Sequence, residues 1–146
     1  MKRRKSMRSN EKKRVLFILG LLYIISFSLP VIYSIHDVLL GFHCAVWGII
    51  RLIVNLSEGN VRGIILDALL ILPNILLILA VLFRKRFRPW LKYLFFFITL
   101  ISAGSWIFTF RIYLQLDDDS VLQMGYWLWF FSITSYMFVV ATPTKK

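Results

Sequence analysis

Histidine and acidic residues are scarce in this chain, and cysteine is nearly missing. Its 146 residues include one cysteine, Cys44, so no intramolecular disulfide can form and the thiol says nothing about redox compartment. "GFHC" places His43 where a lipid-anchored cysteine is preceded by a small residue, which argues against a lipoprotein. The two histidines, His36 and His43, stand seven apart across an expected turn. No Cys or Glu completes a metal-ligand spacing beside them and Asp37. "DDDS", residues 117–120, lacks the glycine and alternating ligands of a calcium loop, and reads as a solvated loop. No Ser/His/Asp order, glycine-rich phosphate loop or zincin pair occurs. With these absences there is no catalytic residue, metal or cofactor to name, and a non-enzymatic protein is expected. A cleavage site is missing too. The first apolar run follows a basic segment, as in a signal peptide, but "SFSLPVIYSIH" offers no small-x-small pair. The run is read as an uncleaved first span.

What the chain has instead is apolar length. Hydrophobic residues make up 59% and mean hydropathy is +0.74, in long runs broken by short charged links, the pattern of a polytopic helical membrane protein. Residues 1–14 hold eight Lys/Arg and one Glu, too polar to pack, and are expected to form a mobile tail. Four runs, about 15–33, 64–83, 90–110 and 124–142, suit ~30 Å of hydrocarbon at ~1.5 Å per residue. They predict a single membrane domain over 15–142, followed by a short tail, 143–146. Pro89 falls in a first helical turn, where a missing N–H costs little. Pro73 lies inside the second run and should kink it, freeing a carbonyl for Asn74 or a neighbouring helix to satisfy.

The stretch "HDVLLGFHCAVWGIIRLIVNLSEG", residues 36–59, decides the topology. With four spans and the N-terminus inside, fifteen of the 18 Lys/Arg are cytoplasmic, and only Arg51, Arg62 and Arg111 are outside. Making 38–56 a fifth span leaves ten inside, seven outside and Arg51 in the membrane. The positive-inside rule favours four spans with both termini cytoplasmic. Periodicity agrees, because Gly41, Cys44, Gly48, Arg51, Asn55, Glu58 and Arg62 recur at threes and fours as a narrow small-or-polar stripe. The fold class expected is therefore all-α: four transmembrane helices plus an outer amphipathic helix over about 38–57, interfacial or re-entrant. Tyr33, Trp47, Tyr113, Tyr126, Trp127 and Trp129 would form the outer aromatic girdle, and Trp90 with Tyr93 the inner one.

In that topology His36, Asp37, His43, Arg51, Asp67 and Arg111 gather near one outer level. A carboxylate one turn inside a span is costly alone, so Asp67 needs a partner, with Arg51, Arg62 and Arg111 as the candidates. The cluster is read in two ways: a small polar binding pocket, or an ion pair docking the amphipathic helix onto the bundle. Thr99, Ser102, Ser105 and Thr109 line one face of the third span, and Ser132 and Ser135 lie on the fourth. Together with Gly48 these are helix-packing positions, where small residues allow close approach and hydrogen bonds across the contact.

Several landmarks recur in order: "SLPV" (Ser28–Val31) at the end of the first span, a Gly/Trp-bearing outer segment, Asn74 in the second span, and "GYWLW" (Gly125–Trp129) opening the fourth. The chain resembles a loose group of small bacterial four-span inner-membrane proteins with no assigned activity. One departure is that Pro73 precedes Asn74 where the group suggests Asn then Pro. The resemblance implies a bacterial cytoplasmic membrane and four helices, and it supplies no catalytic residue. Two functions are expected from different classes. The first is a non-enzymatic membrane protein that binds another membrane or periplasmic component, as an accessory subunit or an immunity-type protein. The alternative is a small oligomeric transporter or channel using the Asp67/Asn74 face. The partners implied are anionic lipid headgroups at the basic tail and a membrane protein or a second copy. Nucleic acid is not among them, since the cations flank apolar runs and no reader fold accompanies them.

Overall fold

The computed structural model describes residues 9–33, 38–83, 86–114 and 121–143. Helices dominate it, in the order α1 (Ser9–Ser26), α2 (Gly41–Glu58), α3 (Val61–Phe83), α4 (Pro89–Leu114) and α5 (Met124–Ala141). Three of them are long and apolar enough to cross a membrane: α3, α4 over Pro89–Ile107, and α5. The first and second of the remaining elements fall short for different reasons. α1 opens on Glu11, Lys12, Lys13 and Arg14, so its apolar part begins only at Val15. α2 is diluted by His43, Arg51, Asn55 and Glu58.

Two boundaries differ from the sequence reading. α1 starts inside the basic segment, at Ser9, and the Lys12 ammonium donates to the Thr142 carbonyl at the end of α5. The apolar run through residue 33 is not one helix. Ser26 folds its hydroxyl back onto the Tyr23 carbonyl at 2.5 Å, and Pro30 has no N–H to continue the ladder. From Pro30 the chain is extended as β1 (Pro30–Tyr33). It pairs antiparallel with β2 (Val38–Leu40) on one side and β3 (Val121–Leu122) on the other. The ladder runs on into α2: Gly41 N–H donates to the Leu29 carbonyl (3.1 Å) and Phe42 N–H to that of Phe27 (2.9 Å). Two donors orphaned at the start of α2 thus meet carbonyls orphaned after α1, as a low-dielectric setting demands.

α5 is the hub, packed by α1, α3 and α4. At the basic end, Leu16, Leu76, Ala80, Ile133 and Met137 close one core. At the sheet end, Val31, Ile32, Leu70, Trp106 and Tyr126 close a second. Tyr126 is therefore a core residue, 2% exposed, and not a girdle residue. Its hydroxyl donates to the Ala103 carbonyl of α4 at 2.8 Å. Gly125 admits β1 to the first turn of α5, since a Cβ there would fall 2.5 Å from the Pro30 carbonyl oxygen. Trp47 and Trp90 are exposed; the side chains of Tyr33 and Tyr113 lie outside the described residues.

Candidate functional site

The polar centre of the molecule is built where α2 turns into α3. Gly59 ends α2 in the left-handed region (φ 68°), a conformation glycine adopts without a Cβ penalty. The next residue, Asn60, caps α3: its Oδ1 accepts from Gly63 N–H at 3.2 Å. Its Nδ2 donates to Asn55 Oδ1 (2.8 Å), and Asn55 Nδ2 in turn donates to Asp67 Oδ2 (2.7 Å). Asn55 is 6% exposed and Asp67 fully buried. This relay of two amides ending on a carboxylate ties α2 to α3.

Close approach makes the relay possible. A Cβ on Gly63 would sit 2.3 Å from Asn55 Oδ1, so only glycine leaves room for the amide. Further along, Gly48 of α2 is covered by Leu70 and Ile71 of α3. The two contacts run in opposite directions along the helices, so α2 lies antiparallel against α3. Gly41 meets the Phe27 backbone, where a Cβ would come within 2.8 Å. Gly41, Gly48 and Asn55 of the small-and-polar stripe thus pack on the chain's own α3 and α1 end, while its last members, Glu58 and Arg62, are exposed.

The six residues expected to cluster are placed unequally. His36 and Asp37 lie outside the described residues, as does the side chain of Arg111. Arg51 is half-buried on α2 between Gly48 and Asn55. His43 is half-buried, its ring 4.1 Å from that of Phe42, with Nδ1 buried and without a hydrogen-bond partner. Among the described residues, the hydrogen-bond partner of Asp67 is the neutral amide of Asn55 instead of an arginine, and Arg62 is exposed. The second oxygen, Oδ1, is buried with no hydrogen-bond partner among the described residues. Sequence reasoning marked Asn55 only as part of the stripe and missed Asn60 and Gly63. The Asn-x-x-Gly spacing of a helix cap was the available signal for the last two.

Asn74, on the same side of α3, accepts two bonds through Oδ1, from Tyr23 Oη (2.8 Å) and Trp129 Nε1 (3.0 Å). It therefore joins α1, α3 and α5. Beside it a cavity of about 40 Å³ reaches Cys44, Leu70 and Trp106. That is space for a water or two and not for an organic solute. Three hydroxyls of the expected packing seams turn to their own helices, Ser102 to Ile98 (2.7 Å), Ser105 to Ser102 (2.7 Å) and Ser132 to Trp129 (3.0 Å), whereas the buried Thr99 Oγ1 has no hydrogen-bond partner among the described residues. Ser102 and Ser132 are buried in the seams by size, while Ser135 is half-buried. Among the described residues no three His, Cys, Asp or Glu side chains gather closely enough to hold a metal ion. No protein-family model, curated protein or solved structure matches this chain.

Proposed function

We propose that the protein is a non-enzymatic, multi-pass protein of a bacterial cytoplasmic membrane that acts by binding another membrane component through the outer side of α2. In this reading α1, α3, α4 and α5 cross the bilayer, with the basic end cytoplasmic. α2 is re-entrant, leaning along the outer half of α3. The extended β1 lengthens the short apolar part of α1, gaining ~3.3 Å per residue where a helix gains ~1.5 Å.

One observation carries the reading. Gly48 and Asn55 of the polar edge of α2 pack on α3, and the helix turns outward an apolar wall of Phe42, Val46, Trp47, Ile50, Ile53 and Leu56, all exposed. Such a wall does not face water, and it sits on a helix pinned by a relay instead of one held by bilayer length. A pinned, rigid apolar face is what a groove-filling or helix-packing partner needs. A photo-crosslinking residue at Ile53, in native membranes, should yield a discrete protein adduct. The same residue at Ile101, an exposed position of α4, should yield lipid adducts only. Lipid adducts alone at both positions would end the proposal. Reporter fusions near Arg86 and at Lys146 should behave as cytoplasmic, and an outward Arg86 would reverse the orientation.

The partnerless Oδ1 of Asp67 favours a second reading, a small transporter in which Asp67 meets a passing cation. Asp67→Asn separates the two. A variant that melts like the wild type but abolishes a cation flux in proteoliposomes would replace lateral binding with transport.

A further inference from the structure

We propose that the open groove between α1 and α3 holds an acyl chain of one anionic phospholipid, whose headgroup is met by Lys13 and Arg14. α1 packs on α5 and stands off from α3, except where Tyr23 reaches Asn74. The gap between them is an apolar groove of about 440 Å³. Phe17, Gly20 and Ile24 wall it on one side, Ile78 and Leu82 on the other, and Tyr136 contributes to its floor. Nothing lies within 4 Å of where a Cβ on Gly20 would project, so the α1 wall is open at that point.

Charge identifies the occupant. Residues three, four and seven apart share a side of a helix, so Lys13 continues the row of Phe17, Gly20 and Ile24 toward the helix start. Arg14 likewise continues the row of Phe17 and Leu21. Both cations are exposed, within one helical turn of Leu16 and Phe17, which line the groove. Lys12, by contrast, is engaged with the Thr142 carbonyl. Arg86 follows within a turn of Leu82, its N–H donating to the Phe83 carbonyl at 2.8 Å, and its side chain is exposed. Among the described residues at this end, 9–14, 86–92 and 142–143, Glu11 is the sole acid. A second copy of the chain would bring the same cations to the same rim, like charge against like. A zwitterionic lipid gains little net attraction there, whereas an anionic phosphodiester is drawn by each cation.

The test is native mass spectrometry of the full-length protein in mild detergent, offered equal amounts of dioleoyl phosphatidylglycerol and dioleoyl phosphatidylcholine. The wild type should retain one phosphatidylglycerol, preferred over phosphatidylcholine by roughly tenfold or more. Lys13→Gln with Arg14→Gln should bring the two lipids to near-equal retention. Gly20→Leu places its side chain in open space, so it should melt like the wild type yet lose the retained lipid of either kind. Ile78→Trp, on the opposite wall, should repeat that loss and so guards against a folding artefact of either variant. Equal retention of both lipids by the wild type overturns the proposal, as does undiminished phosphatidylglycerol in the two blocked variants. A wild-type dimer that Gly20→Leu converts to a monomer would also overturn it, assigning the groove to a second copy.

Discussion

Gly63→Ala is the sharpest probe of the relay between α2 and α3. The added methyl would lie 2.3–2.6 Å from the Asn55 amide atoms, and the amide has to leave. Its departure breaks the bonds from Asn60 Nδ2 to Asn55 Oδ1 and from Asn55 Nδ2 to Asp67 Oδ2. Each such bond is worth about 0.5–1.5 kcal/mol net, and stranding Asp67 with neither oxygen satisfied adds about 1–3 kcal/mol. Alanine's better helix propensity returns about 1 kcal/mol. The net loss is about 3 kcal/mol, or a melting temperature lower by roughly 6–12 °C for a chain of this size. Thermal unfolding in detergent, followed by circular dichroism, reads the change. The decisive comparison is a double-mutant cycle with Asn55→Ala. Once the amide is gone, Gly63→Ala has nothing to displace and should be neutral or mildly stabilising. Equal destabilisation in both backgrounds would refute the steric link from Gly63 to Asn55 and Asp67.

Gly125→Ala should be worse than Gly63→Ala, because its Cβ meets the Pro30 carbonyl at 2.5 Å and backbone cannot rotate away. Gly104→Ala, with its nearest neighbour at 3.9 Å, should melt roughly 2–4 °C above the wild type on helix propensity alone, and the pair of melting curves checks both. Tyr126→Phe removes the bond to the Ala103 carbonyl and should cost about 1 kcal/mol in the same assay without altering membrane insertion. Cys44 lines the cavity beside Asn74, so maleimide should label it slowly in the folded protein and fast after denaturation. Rapid labelling of native protein would mean that α2 does not pack as described.

The apolar lengths of α3, α4 and α5 were legible because a helix closes its hydrogen bonds within four residues, so a local run and its charged borders suffice. The same period exposed the stripe of Gly41, Gly48 and Asn55 as a close-packing edge, and the cations of residues 9–14 and 86–92 fall at one end of the bundle as their spacing suggested. What lay beyond reach were contacts that close across the fold. Residues 30–33 look like the end of a span until Val38–Leu40 and Val121–Leu122 pair with them, and no local pattern announces partners so distant in sequence. Tyr126 resembles a girdle tyrosine until Ala103 of α4 comes within 2.8 Å of its hydroxyl. Asp67 demanded a partner on electrostatic grounds, and arginine was the obvious choice by charge. Tertiary structure chose the amide of Asn55, because the glycine at position 63 lets that short side chain, held by Asn60, reach the carboxylate.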